Sequence, residues 1–533
     1  MSTLTSYATL AAYLLGPLMF LVLAYRLITD PLKQYPGPTL ARFTDGYVGF
    51  HAVQKRLHIA TYEDHLKYGT VVRQAPNRLV FNTVTALHDI YLNSRVTKSK
   101  VYLQSLLSSN QPSMFNALDR TVHSQKRRAV GQLITERSMR SFEPTMTSQI
   151  RVFMQQQLAS SQKAEVVNMT RRCQRLAADI VGHLAFGYEF NTQTADTNAI
   201  IPASMKWNSY RISVYMAWPF IRVVDPVVRW FGRKQIPEFF QTLRKMIGTR
   251  MSKRKDAAHD IYDVASEEVT DTTSGEKTAG LQGSDLWSEA SFLVMAGGTT
   301  VSTLMSSVFF YLSRHPQVYA RLASEIRAVF SSGGEIAGGA QLSSCKYLRA
   351  VIDETLRVAP PTTATPWREE DVYSAALPPS DEPFVVDGHL IPRGTAVGVS
   401  LYSVLHNPAY FQEPFAFQPE RWLAPEGGKE DKDSEEARAL MRRAFAPFAL
   451  GDRACAGKAM AYLETSLTVA KTLWYFDFKT APGAAGKVGG GTPGRTDGRH
   501  RADEYQLYDI FTADHDGPNL VFRPRGEFWK ELE

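Results

Sequence analysis

Residues 448–460 read FALGDRACAGKAM: one cysteine, Cys455, among glycines and small residues, with Arg453 two positions before it. Downstream, KAMAYLETSLTVAKTLWYF has a helical pattern, which places Cys455 at a helix N-terminus. Free N–H groups and the helix dipole favour an anion there, so the spacing predicts a thiolate with a lowered pKa. Gly451 and Gly457 allow tight turns and leave room for a flat ligand near the backbone. Arg453 offers a bidentate partner for a carboxylate, and Phe448 can cover the sulfur. A cysteine alone is more often a buried hydrophobe, and that reading suits Cys173 and Cys345. The whole string suits a planar iron cofactor bearing propionates.

The rest of the chain bounds this reading. It has 533 residues, 44% of them hydrophobic, ample for a large core. Three widely spaced cysteines are no disulfide framework and point to a reducing compartment. The net charge of +7 is modest for this length, and no basic stripe of the nucleic-acid-binding kind dominates. From residue 1 to 25 there is no charged side chain. About 20 helical residues cross about 30 Å of hydrocarbon, so residues 1–28 are expected to form a transmembrane anchor. Arg26 and Lys33 follow the apolar run and predict a cytoplasmic C-terminal side. A cleaved signal peptide, the rival reading, would want a basic start and a shorter apolar core.

After the anchor, QYPGPTLAR places Pro36 and Pro38 around Gly37, a stiff elbow within a hinge and linker over 29–50. Beyond this elbow the chain is mostly helical in pattern. The clearest case is the apolar run from Ser284, a plausible N-cap, to Pro316. Strand-like runs are few: 70–73, 78–81, 383–386 and 395–399. Residues 265–283, 424–438 and 481–500 are expected to be surface insertions, the last too glycine-rich to pack. The aromatic stretch SVYMAWPFIRVV, 213–224, suits either an apolar substrate or a plain core segment.

The string Phe448-x-x-Gly451-x-Arg453-x-Cys455-x-Gly457 resembles the haem-binding signature of the cytochromes P-450, thiolate-haem monooxygenases of the microsomal type. DETLRVAPP and FQPERW resemble that family's Glu–Arg–Arg cluster, here Glu354, Arg357 and Arg421, with a structural role. TVHSQKRR gives His123 and Arg127 at the spacing of a haem-propionate clamp, and Arg368 resembles a further propionate partner. QYPGPTLAR, LSSCKYLRAVIDETLR and AYLE are most similar to filamentous-fungal members that tailor secondary metabolites. EYQLYDIFTADHDGPNLVFRPR looks like the closing hairpin. The resemblance implies a mainly α fold with small β-sheets, a single large catalytic domain over 51–533 behind its membrane anchor. It implies haem b (iron protoporphyrin IX) as cofactor with Cys455 as the axial iron ligand, and NADPH acting indirectly through a cytochrome reductase partner. It implies an apolar small-molecule substrate, no nucleic acid, and an endoplasmic reticulum membrane location with the catalytic domain cytoplasmic.

MAGGTTVST interrupts the apolar helix. Gly297 and Gly298 each cost about 1 kcal/mol against alanine in a helix interior, so something is expected to approach the backbone there. Thr300 matches the family's distal threonine, which supports proton delivery; the alternative is a hydroxyl bonded to its own i−4 carbonyl. The preceding position usually holds an acid, and here it is Thr299. A hydroxyl does not shuttle protons as a carboxylate does near neutral pH, so Thr299 and Thr300 are the candidate catalytic pair with an altered relay. An isomerase, dehydratase or oxidative-coupling enzyme less dependent on that relay is the alternative activity. By the resemblance the pocket is lined from 100–118, 205–222, 288–300, 361–368 and 512–517. Lys126, Arg128, Arg442, Arg443 and Lys458 share the cysteine face, where they either dock an acidic electron donor or form an ordinary solvated rim.

Overall fold

The computed structural model describes residues 28–106, 111–196, 198, 200–231, 235–252, 269–270, 277–278, 283–371, 382–424 and 432–533. Residues 1–27 of the expected anchor, 1–28, and most of the expected insertion over 265–283 lie outside the described residues, as do 107–110 of the pocket-lining stretch and 425–431 of the second insertion. Helix dominates, at 57% of the described residues.

The organising element is the helix Gly283–Arg314. It starts at Gly283, so Ser284 lies inside its first turn and is not its N-cap. Its apolar side chains face protein on nearly every side, and Val308, Phe309, Phe310, Tyr311 and Leu312 are all buried. Many of its Ser and Thr residues can share that interior because their hydroxyls bond the carbonyl one turn back, although Ser288 donates to Gln111 O instead. Thr299 donates to Met295 O, Thr303 to Thr299 O, Ser306 to Ser302 O and Ser307 to Thr303 O, all at 2.8–2.9 Å. This helix is also the one described element long and apolar enough to cross a membrane, and it is the core of the body. The helix Met169–Phe186 packs along it. A Cβ on Gly297 would lie 2.8 Å from Val181 Cγ2, and one on Gly298 would lie 2.2 Å from Met205 Cε. What approaches the glycine backbone is therefore two neighbouring helices.

A five-stranded sheet lies to one side in the order Val71–Ala75, Arg78–Phe81, Ala396–Val399, Arg368–Glu370, Val96–Lys98. Three of these match the sequence expectation closely, whereas 383–386 shrinks to Val385–Val386 paired with His389–Leu390. The C-terminal stretch forms the hairpin Tyr508–Ile510 with Thr512–Asp514, then Asn519–Pro524 pairs with Phe476–Thr480 and Val167–Asn168. The hinge segment docks on the five-stranded sheet and on the small hairpin: Arg73 N–H donates to Pro36 O at 2.7 Å, and Tyr35 OH donates to Leu390 O of the hairpin at 2.9 Å.

One sequence expectation fails here, and of the two readings left open for 213–224 the core segment holds in part. Residues 481–500 do pack. A Cβ on Gly486, Gly490 or Gly491 would meet a backbone oxygen at 2.0–2.4 Å. The glycines let two backbones touch, and Gly491 N–H donates to Arg501 O at 2.9 Å while Arg314 donates to Gly486 O at 2.8 Å. Of 213–224, the first part is core, with Tyr215, Met216 and Ala217 buried, and the turn Pro219–Val224 is outside, with Phe220 78% and Val223 71% exposed. None of that stretch lines the main cavity.

Candidate active site

A cavity of about 340 Å³ lies between the central helix and the loop that carries Cys455. Its wall is largely apolar. Phe115 stacks on Phe292 at 5.2 Å and meets Phe511 edge-on at 5.1 Å, and Val181, Leu184, Ile212, Leu293, Val301 and Leu304 complete much of the surface.

Cys455 lies two residues before Gly457, the N-cap of the helix Lys458–Tyr475. Its surface is open, but what it opens on is the cavity, so the thiol is both accessible and enclosed by protein. The loop is fixed by Cys455 N–H donating to Phe448 O at 2.9 Å. The expected fall in the thiol pKa is corrected: burial raises it, against smaller pulls from the Gly457 N–H, Arg127 and Lys458. A helix terminus supplies partial charge only, and desolvation here outweighs it. A cation bound at the sulfur would favour the thiolate. Gly451 and Gly457 divide the glycine roles. Gly451 has φ +75° and a Cβ there would lie 2.0 Å from Tyr91 O, so it serves the turn. A Cβ on Gly457 meets no atom within 4 Å, and it leaves space beside the sulfur. The other two cysteines fill core, and burial pushes Cys173 up to about 12.

Lys98, His123, Arg127, Arg368 and Arg453 all line the same cavity. Burial and the four cations around it push His123 down to about 2, and burial beside three guanidiniums pushes Lys98 well below its ordinary value. Asp371 and Asp452 approach Arg453, but Arg120 pairs with both, at 3.0 and 3.5 Å, and leaves Arg453 Nε a looser 3.8 Å pair with Asp452. The site thus carries an excess of buried positive charge that an anionic group would neutralise. Arg453 is not the free bidentate fork expected from the sequence. It donates to Ala117 O at 2.7 Å, Leu118 O at 3.1 Å and Thr97 Oγ1 at 3.0 Å, and its buried Nε has no hydrogen-bond partner among the described residues. Arg127 donates to Ala454 O and so ties its helix, Arg120–Gly131, to the cysteine loop. Lys98 and Tyr102 have no string of their own in the sequence. The nearest signal is their position just before and within the expected pocket segment 100–118.

Thr300 lines the cavity, with its hydroxyl donating to Ala296 O at 2.7 Å. Thr299 does not; it lines a second, smaller cavity with Thr512 and His515. Glu354 is fully buried and accepts from Arg357 at 2.8 and 2.9 Å, Arg421 at 3.1 Å, Trp422 Nε1 at 2.9 Å and Gln418 N–H at 2.9 Å. Arg357 donates onward to Leu405 O, Pro414 O and Ala416 O. Lys126 leaves the expected docking rim: it is buried, 2.7 Å from Asp285 and 3.3 Å from Glu289. Arg442, Arg443 and Lys458 are exposed, and Arg128 is half-buried.

A planar iron group with carboxylate arms fits these residues. No cluster of three or more His, Cys, Asp or Glu among the described residues could hold a bare ion. A metal on the Cys455 sulfur must therefore bring its other ligands with it, and the cationic end of the cavity suits the arms.

The family model for cytochrome P-450 matches residues 50–488. The chain is 34% identical over 523 residues to the cytochrome P-450 monooxygenase AKT7 of Alternaria alternata, covering 96% of this chain and 97% of that protein. It is 31% identical over 525 residues to the monooxygenase poxM of Penicillium oxalicum (97% and 94%), and 30% identical over 515 residues to atnE of Emericella nidulans (94% and 93%).

Proposed function

From the chain's membership of the cytochrome P-450 family, we propose that it is a haem-thiolate monooxygenase that oxidises an apolar small molecule with dioxygen and electrons from NADPH, delivered by a membrane-bound reductase. The observation that carries this reading is an enclosed thiol at one wall of an apolar cavity whose rim holds surplus cations. Haem, when bound, supplies dioxygen activation and the oxidation of a substrate C–H bond. The protein's share is done by its own side chains. Cys455 donates the thiolate. Arg127, Arg368, Arg453, Lys98 and His123 hold the carboxylate arms. Phe115, Phe292 and Phe511 orient an apolar substrate and keep water out. The Thr300 hydroxyl, although bonded to Ala296 O, keeps lone pairs that can accept a hydrogen bond in the cavity.

A tailoring step in fungal secondary metabolism is the expected setting, supported by the fungal relatives and the matching strings. The membrane location rests on the uncharged, apolar run over 1–25 of the expected anchor. The exposed Phe220, Val223, Val227 and Trp230 are a second apolar surface of the kind a bilayer would cover. Arg442, Arg443 and Lys458 would face the reductase.

The test is spectroscopic. The reduced protein with carbon monoxide should show the red-shifted absorption of thiolate-bound haem, and Cys455→Ala should abolish it. Turnover should need NADPH and reductase; product formed without both would point to isomerase or dehydratase chemistry. Comparing metabolites with and without the protein would identify the substrate.

A further inference from the structure

Inserting one oxygen atom consumes two electrons and two protons per dioxygen, RH + O₂ + 2e⁻ + 2H⁺ → ROH + H₂O. The cavity wall contributed by the central helix, from Ser288 to Leu304, carries no titratable side chain. Glu289 is turned away, held by Lys126 and the Met114 N–H. Behind the wall lies the second cavity, about 20 Å³, lined by Gln174, Lys206, Thr299, Thr512, Asp514 and His515 among others. One ordered water needs about 10–15 Å³ and two to four polar partners.

Two buried atoms here have no hydrogen-bond partner among the described residues, Thr512 Oγ1 and His515 Nε2. Thr512 is 8% exposed and lines both cavities, and His515 is 5% exposed. His515 Nδ1 lies 3.3 Å from Ala513 O and from Thr303 Oγ1, so the ring proton sits on Nδ1 and the lone pair on Nε2. Asp514 accepts from Lys206 at 2.7 Å and from Lys55 at 3.4 Å, and the Lys206 side chain is half exposed, which brings the chain of polar groups to solvent.

We propose that Thr512, His515 and Asp514, with one water in the second cavity, form the route by which protons enter the main cavity beside Thr300. The inference rests on the monooxygenase reading above. In each transfer the Thr512 hydroxyl gives its proton to the acceptor in the main cavity and takes one from the water. The water is reprotonated from solvent through Asp514 and Lys206. One proton moves from solvent to cavity, and every relay group returns to its starting state. His515 stays neutral, because burial pushes it down to about 4, and acts as a positioning residue by accepting a hydrogen bond from the water at Nε2.

The experiment uses the full haem-loaded chain with reductase. Thr512→Val should lower product formed per NADPH by about tenfold, below the roughly 10²–10⁴-fold general acid–base range because water substitutes in part. Thr512→Ser should restore it to within about twofold. A high-resolution crystal structure should show a water within hydrogen-bond distance of His515 Nε2 and Thr512 Oγ1, lost in His515→Phe. Wild-type coupling in Thr512→Val, or a dry second cavity, would overturn the route. Failure of the parent reading looks different: the wild type itself would lack the carbon monoxide absorption, whereas the crystallographic water is read independently of turnover.

Discussion

Glu354 and Arg453 both sit in the interior, and the chain treats their charges in opposite ways. Around Glu354 each carboxylate oxygen has partners, two guanidiniums share the negative charge, and Arg357 spends its remaining donors on three carbonyls. Around Arg453, five basic side chains face one cavity, and the nearby carboxylates are shared: Asp371 pairs with Arg120, and Asp452 stands between Arg120 at 3.5 Å and Arg453 Nε at 3.8 Å. A buried charge must be paired, neutralised or solvated. The first group satisfies that rule within the chain and is architecture. The second satisfies it only in part, by pushing His123 and Lys98 toward their neutral forms and by sharing Asp452, and an anion from outside would complete it, which makes it a binding site. Glu464 is a third solution: buried on the cysteine helix, its Oε1 without a hydrogen-bond partner among the described residues, it stays protonated, pushed up to about 8 by burial.

The sharpest way to break the contrast is Glu354→Ala. It leaves two guanidiniums buried without their carboxylate and should cost about 3–5 kcal/mol, read by denaturant unfolding with or without haem. Loss of haem binding with unchanged stability would show that the first group is not architectural. Glu464→Gln tests the neutral solution. A carboxyl whose folded pKa lies above its unfolded one stabilises fully below pH 4.5 and loses that contribution as pH rises through about 8. The glutamine variant should therefore lose less stability between pH 5 and 8, a difference on the order of 2 kcal/mol by parallel denaturation series.

Arg368→Met removes one cation from the open group. Apoprotein stability should hold within about 1 kcal/mol, while haem affinity falls about tenfold on titration, the worth of one charge-assisted hydrogen bond. A fall in apoprotein stability with haem affinity intact would close the supposed opening. The smallest effect is expected at Lys432–Glu436, a 3.8 Å pair with both side chains at least 70% exposed. Lys432→Ala should change stability by less than about 0.5 kcal/mol, because water already solvates both charges.

Much of both groups was legible in the sequence, for different reasons. Glu354 and Arg357 stand i, i+3 on one helix, so their contact is local. Cys455, Gly451, Arg453 and Phe448 belong to a single loop whose turn is set by neighbours in the chain. Lys98 was not legible, since strand Val96–Lys98 meets the cavity only after pairing with Arg368–Glu370. Nor was Lys126, whose place on a basic helical face looks solvated until Asp285 and Glu289 arrive from the central helix. The glycine run over 481–500 was misread because composition gives its cost in backbone entropy and not the close backbone contacts that offset it.

The amino-acid sequence by itself determined the thiol, its turn, the helix after it and the carboxylate–guanidinium cluster, because those depend on spacings of a few residues. Which way Thr299 and Thr300 face, how far burial outweighs the helix dipole at Cys455, and the meeting of Thr512 with His515 behind the cavity wall were decided only by the tertiary structure. Those properties arise from segments hundreds of residues apart excluding water from one another, and desolvation has no local signature in a chain.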